Sequence, residues 1–292
     1  IPIIHRGEFL AGLCSGKKTI AVAGAHGKTT TTSILARIFI EADLDPTIYI
    51  GGELQEIGGN ARKGKGEYLI AEADESDGSF LKLKPFVAIV TNIEDDHLDF
   101  YGSKEKLVSA FEAFLSLVAK EGFSVLCIDD PEVKKIAGKV KNKVTYGLRE
   151  EADYTAKNIS LETSFSSAEI YFKEKKLGTL ELPVPGLHNM SNAVAAIAAG
   201  HQLGIDFTTM ARGLASFRGA GRRFQTVGVV NGVQIIDDYA HHPTEIKATL
   251  KAAKQLNPKR IWAVFQPHRY TRTRQLFKEF GRAFCDADKV IV

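Results

Sequence analysis

The chain has 292 residues, 44% hydrophobic and 25% charged, with a formal net charge of +3. That length suits two domains rather than one, and that composition suits an ordinary soluble globular protein. The near-balanced charge gives no electrostatic case for nucleic acid or an acidic membrane, and no apolar run is long enough to span a bilayer. Cys14, Cys127 and Cys285 lie far apart and form no CxxC-type metal pattern. So sparse and odd a set argues against a disulfide framework and for small buried residues in a reducing cytoplasm. The chain opens on Ile1-Pro2-Ile3-Ile4, without Met, and closes on a strand-like run. This sets the expectation of a fragment with both ends missing, and the lack of a signal peptide then says little about location.

In chain order, apolar runs of strand length alternate with helical patterns, which predicts βαβ units around a mostly parallel sheet. Thr19–Ala23 is predicted as a strand and Thr29–Glu41 as a helix. Between them lies Gly24-Ala25-His26-Gly27-Lys28-Thr29-Thr30. A glycine-rich turn from strand to helix aims backbone N–H groups at an anion. The helix terminus adds partial positive charge, Lys28 a full one, and Thr29 offers a hydroxyl to Mg²⁺. The strict P-loop pattern fails, because Val22 occupies its first glycine position; the pattern here is G-x-x-G-K-T-T.

Tyr68–Ala73 is the next predicted strand, and it ends in Glu72-Ala73-Asp74-Glu75-Ser76-Asp77-Gly78. Carboxylates this dense repel one another unless cations are near, which fits either a Mg²⁺ site or a solvated acidic loop. Strand Val87–Thr91 leads into Asn92-Ile93-Glu94-Asp95-Asp96-His97, where His97 is either a metal ligand or a surface residue. Lys104–Lys120 has helical spacing, and Ser124–Ile128 reads as a strand. From Tyr154 to Pro183 polar and apolar residues alternate through Ala168–Phe172 and Leu177–Leu182, with a turn expected near Lys175–Gly178. This predicts a small antiparallel patch on the α/β core.

His188–His201 is an Ala-rich predicted helix that carries Asn189 and Asn192 on one face, suited to a nucleotide or, for Asn189, to a helix N-cap. Met210–Ser216 is a further short helix. The flexible, charged stretch Phe217–Arg223 is a candidate domain boundary. Beyond it, strands at Gln234–Ile236, Ile261–Phe265 and Lys289–Val292 alternate with helices at Thr244–Gln255 and Thr273–Ala283. The strand ends carry Asp237-Asp238-Tyr239-Ala240-His241-His242-Pro243-Thr244-Glu245 and Gln266-Pro267-His268-Arg269-Tyr270-Thr271-Arg272-Thr273-Arg274. Such ends are where open α/β sheets hold ligands, and the basic set suits carboxylate or phosphate. Thr244 is also a candidate N-cap.

The ordered set GAHGKTTTT, EADESDGSF, TNIEDDHLD, HNMSNA, GAGRRF, DDYAHHPTEI and FQPHRYTRT resembles the Mur ligase family over nearly the whole chain. Within the family it is similar to the branch that joins L-alanine to UDP-N-acetylmuramate. Ala25 stands where the family usually has Thr, a change that leaves the backbone loop intact. The resemblance implies a remnant of a sugar-nucleotide domain at residues 1–16. It implies a central P-loop-type ATPase domain at residues 17–216, and an incomplete Rossmann-like ligase domain at residues 217–292.

It implies ATP and Mg²⁺ as cofactors, an acyl-phosphate route to the amide, and cytoplasmic peptidoglycan-precursor synthesis. By resemblance Lys28, His97, Arg223 and Asp238 take catalytic roles, and Thr29, Glu72 and His97 hold metal. Gly24 to Thr30, Asn189, Asn192 and Arg223 contact ATP. Glu75, His241, His242, His268, Arg269 and Arg272 face the acyl phosphate and amino acid. A sister branch that attaches a recycled tripeptide shares the phosphate loop and the paired histidines, but EADESDGSF lacks the Tyr after Glu expected of it. Intact Lys28, Thr29, Glu72 and His97 argue against a non-catalytic nucleotide-binding module, and a plain P-loop hydrolase or kinase leaves the second Asp/His/Arg set unexplained.

Overall fold

The computed structural model describes residues 3–163 and 165–292, apart from the side chain of Gln55. After α1 (Arg6–Cys14), β1 (Lys18–Ala23) enters the core and is buried from Thr19 onward. It turns into α2 (Lys28–Glu41), whose residues from Thr29 to Ala36 are all buried. Within this buried run of hydroxyl residues Thr31 Oγ1 has no hydrogen-bond partner, but its two successors do. Thr32 Oγ1 and Ser33 Oγ return hydrogen bonds of 2.8 Å to the carbonyls of Lys28 and Thr29, four residues back, so they lie inside without orphaned donors.

Next come β2 (Thr47–Leu54), β3 (Gly59–Arg62), β4 (Tyr68–Glu72) and β5 (Val87–Val90). The one-turn α3 (Leu98–Tyr101) and α4 (Lys104–Ser116) follow, then β6 (Phe123–Cys127), α5 (Pro131–Ala137) and β7 (Lys143–Gly147). β8 (Tyr154–Leu161), β9 (Ser166–Phe172) and β10 (Lys175–Leu182) complete one ten-stranded sheet in the order β10-β9-β8-β7-β6-β5-β1-β4-β2-β3. Its interior pairs are parallel, and β1 lies between β4 and β5. The expected α/β class with a small antiparallel patch is therefore what the chain adopts; β8, β9 and β10 form the patch. A second antiparallel pair, β2–β3, borders the other edge and has no counterpart in the sequence reading.

The turn in the patch is displaced from its expected place. Lys173 and Glu174 form it, with Lys173 at φ 56°, while Lys175–Gly178 already pair with β9. Gly178 serves a close approach instead, because a methyl there would meet the Phe207 ring at 2.3 Å. The α2 face of the sheet packs with α6 (Leu187–Gln202) and α7 (Phe207–Ala215), which bury Met190, Ile197, Met210 and Leu214. On the other face Phe80, Phe111 and Phe114 fill a core of their own beneath α4.

The remaining chain forms β11 (Gln225–Val230), β12 (Val233–Asp237), α8 (Pro243–Gln255) and β13 (Trp262–Val264). It ends with α9 (Tyr270–Gln275), α10 (Phe277–Phe280) and β14 (Lys289–Ile291). β11 and β12 are an antiparallel hairpin, and β13 and β14 a parallel pair, around a small core of Ile246, Leu250, Phe280 and Ala283. The helix expected over Thr273–Ala283 starts earlier and breaks at Leu276 (φ −103°, ψ 25°), whose side chain packs against that core.

Candidate functional site

The phosphate-type loop follows the C-terminal end of β1. Two glycines shape it. Gly24 sits at φ +133°, where a methyl would lie 2.1 Å from Thr91 Oγ1; Gly27 sits at φ +84°, where one would lie 2.5 Å from Asn192 Oδ1. The neighbouring strand end then pins the loop. Ala25 N donates to Asn92 O (3.2 Å), His26 N to Asn92 Oδ1 (2.8 Å), and Thr91 Oγ1 to His26 O (2.6 Å). None of these contacts uses the side chain of Ala25. Gly27 caps α2 without a side-chain bond, so the first N–H groups of the helix stay available to an anion.

Lys28 Nζ donates to the carbonyls of Gly24 and Ala25 and to Glu75 Oε1 at 2.9 Å. Burial works against its charge, but Glu75 and Glu72 outweigh that and hold it as an ammonium. Burial also pushes the Glu75 carboxyl up, against the pull of Lys28, and its Oε2 is buried with no hydrogen-bond partner. Glu72 Oε2 accepts from Thr29 Oγ1 at 3.0 Å and from Gly51 N at 2.8 Å. His97, at φ 58°, lies opposite. Its Nε2 is 3.7 Å from Glu75 Oε1 and 3.4 Å from Asp96 Oδ2. Burial first, then Lys28, Arg269 and Arg272, lower its pKa to about 4. His97 is therefore a neutral imidazole near pH 7, the form that binds metals.

Two clefts flank the loop. The first, about 470 Å³, draws Lys28, Thr29, Glu72, Glu75 and His97 together with Arg223, His241, His268, Arg269 and Arg272. The second, about 530 Å³, runs along the other side of Gly27 and is lined by Asn189, Asn192, Tyr146, Leu148 and Asp238, with Arg223 shared between the two. Asn189 is not the cap of α6. Gly186 is, and Asn189 Nδ2 donates to Pro185 O at 2.6 Å. Asp238 spends both carboxylate oxygens on backbone, taking Phe224 N at 2.8 Å and Ala240 N at 2.7 Å. Nor does Thr244 cap α8. His242 does, while Thr244 Oγ1 donates to Glu94 Oε2 at 2.6 Å. His242 lines neither cleft and packs against His26, ring centroids 4.6 Å apart.

Arg272 is buried and doubly bonded to Asp96, through Nε and Nη2 at 2.9–3.0 Å, with Nη1 left unpartnered. Arg269 Nη1 lies 3.2 Å from His97 Nδ1. Glu245 stands 3.2 Å from His26, 3.5 Å from Arg223, and accepts the N–H of His241 at 2.9 Å. Asn92, Glu94, Asp96 and Glu245 went unnoticed as candidate site residues in the sequence. The capping box that Glu245 completes has His242 at its cap in place of the Ser or Thr of the usual pattern, so it gives no sequence signature.

Residues 22–200 match the Mur ligase middle domain, and residues 222–292 the Mur ligase glutamate ligase domain. The chain is 57% identical over 294 residues to the UDP-N-acetylmuramate–L-alanine ligase of Desulforamulus reducens, and 56% identical to that of Pelotomaculum thermopropionicum. All of this chain aligns in both cases, and it spans 64% of each relative's length. The crystal structure of UDP-N-acetylmuramate-alanine ligase MurC from Thermotoga maritima is similar with a TM-score of 0.83 and 33% identity, over 97% of this chain and 63% of that one. The murein peptide ligase mpl of Psychrobacter arcticus is similar at 0.73 and 28% identity, over 97% of this chain and 65% of that one. With both domain matches in order on a phosphate-loop α/β sheet, the chain belongs to the Mur ligase family.

Proposed function

We propose that this chain is the nucleotide-handling and amino-acid-receiving part of an ATP-dependent ligase that joins L-alanine to UDP-N-acetylmuramate through an acyl phosphate, in cytoplasmic peptidoglycan-precursor synthesis. The observation that carries the reading is the first cleft. There Lys28, Thr29, Glu72 and His97 meet Arg223, from the Phe217–Arg223 stretch, and His241, His268 and Arg269 from beyond it. We divide the chain into residues 1–16, 17–216 and 217–292, the middle unit handling ATP and the last one the amino acid.

The donor set fits Mg²⁺. Thr29 Oγ1 and Glu72 Oε2 stand 3.0 Å apart, Glu75 keeps an unpartnered buried oxygen, and His97 is neutral. Thr29 and Glu72 would hold one ion and His97 a second, and bound Mg²⁺ supplies neutralisation of phosphate charge. The remaining chemistry belongs to the chain. The α2 terminus and Lys28 stabilise the negative charge that builds on the γ-phosphoryl group as it passes to the sugar carboxylate. Asn189, Asn192 and Arg223 hold the nucleotide in the second cleft. His241 Nδ1 lies 2.8 Å from Tyr239 O, an arrangement that keeps the proton on Nδ1 and the lone pair on Nε2. Burial lowers its pKa, so it can accept a proton from the attacking amine.

The relatives' printed names support alanine over other amino acids. The test is phosphate release by the full-length protein with Mg-ATP and UDP-N-acetylmuramate, with and without L-alanine. Release that requires both substrates is expected. Release that requires a tripeptide instead assigns the recycling reaction, and release indifferent to either overturns the ligase reading.

A further inference from the structure

Three side chains meet between the phosphate loop and the start of α8, where His26 and Glu94 border the second cleft and His242 lines neither cleft. His26, Glu94 and His242 each bring one ligand atom to within 4.8 Å of the others. Glu94 Oε2 lies 3.5 Å from His26 Nε2 and 3.6 Å from His242 Nδ1. A tetrahedral ion with bonds of about 2.0–2.1 Å sets its ligands about 3.3–3.4 Å apart, so these separations are close to two edges of such a shell.

Three of the four ring nitrogens have no aligned hydrogen bond, and the fourth, His242 Nδ1, accepts the long N-cap contact of α8. Both nitrogens of His26 and Nε2 of His242 are buried without an aligned hydrogen bond, and His242 is only 4% exposed. Buried polar atoms rarely stay unpaired. His242 Nδ1 has only a long contact, 3.3 Å, from Thr244 N. On the far side of His26, Glu245 Oε1 stands 3.2 Å from Nδ1. A carboxylate there holds the proton on Nδ1 and turns the Nε2 lone pair toward Glu94, as carboxylates behind metal-binding histidines do. Glu94 is itself fixed by Thr244 Oγ1.

We propose that His26, Glu94 and His242 form a binding site for a divalent transition-metal ion of the zinc class, bridging the phosphate loop and the N-terminus of α8. Two imidazoles in a three-residue set select such an ion over Mg²⁺ or Ca²⁺, whose shells are built mostly of oxygen. The fourth position is left to water. The bound ion fastens the phosphate loop to the second unit through His26 and His242.

The test is a titration of the chelator-stripped chain with Co²⁺ in excess Mg²⁺, at mildly alkaline pH. One equivalent should give the strong visible absorption of four-coordinate cobalt and be displaced by Zn²⁺. Glu94→Gln and His242→Ala should each weaken binding at least about tenfold, Glu245→Gln about tenfold, and His97→Ala not at all. Circular dichroism shows that each variant is folded, and Glu94→Gln keeps the test decisive if loss of the α8 cap unfolds His242→Ala. A weak six-coordinate spectrum, thiolate absorption from a cysteine, a band that survives both ligand variants, or one lost in His97→Ala overturns the site.

Discussion

Lys28 brings a buried positive charge to the first cleft. Its ammonium lies at the start of α2, tied to Glu75 and to two loop carbonyls. In Lys28→Met the transferring phosphoryl group loses a charged donor, and ATP-dependent turnover of the full-length protein should fall by about 10²–10³-fold or more. Glu75 would then be a buried carboxylate without its cation. Because burial already pushes it up, it can take a proton instead, so the loss of stability stays smaller than the loss of turnover. Phosphate release and urea unfolding, measured side by side, check this. Unfolding that accounts for the whole loss of turnover counts against it. Arg223 makes the complementary case. It borders both clefts and is partly exposed beside Glu245, so Arg223→Ala should lower turnover while leaving the urea midpoint nearly unchanged. Wild-type turnover in that variant sinks its assignment to ATP.

At the scale of elements, the strand–loop–helix unit is held more by backbone geometry than by loop side chains. Gly24 combines a positive φ with contact against Thr91 and Asn92. Gly24→Ala should cost about 1–3 kcal/mol for the overpacked methyl and a similar amount for backbone strain, and should release the loop from the β5 end. Chemical denaturation measures the loss, and an unchanged midpoint contradicts the geometry. The same element level limited what could be read in advance. The strand–loop–helix order was legible because its period changes from two to 3.6 across two glycines. The antiparallel turn near Gly178 was misplaced because that glycine answers to Phe207 on α7, a neighbour far along the chain. The β2–β3 edge has no clear sequence signal because Gly51 and Gly52 carry no side-chain period and the pairing shifts register between Tyr49 and Leu54.

At the scale of the whole molecule, the buried Asp96–Arg272 pair joins the two units. Side-chain exposures of 7% and 5% make it a true interior contact. Arg272→Met should cost about 3–5 kcal/mol, because Asp96 would remain buried without its cation. Burial alone would raise Asp96, but the Arg272 hydrogen bonds and nearby charges win and lower it to about 2. Its folded value is therefore depressed. The stability it contributes is fully present above its ordinary value of 3.8 and is lost as pH falls through about 2. Thermal unfolding of the wild type should weaken across that window, and Asp96→Asn should flatten the dependence. Parallel curves for the two proteins refute the link.

The sequence by itself determined the α/β class, the phosphate-type loop and the ordered motifs at strand ends, because those depend on period, glycine placement and local charge. It also supplied the histidines and arginines that reach the first cleft, since strand-end residues of an open parallel sheet share one side. Only the tertiary structure decided their partners. Arg272 faces Asp96, Asp238 accepts the backbone N–H groups of Phe224 and Ala240, and His242, which lines neither cleft, packs beside His26 and Glu94. Partner choice among like residues is set by which loops the crossovers bring into contact and by which charges are buried there, and neither is written in local spacing.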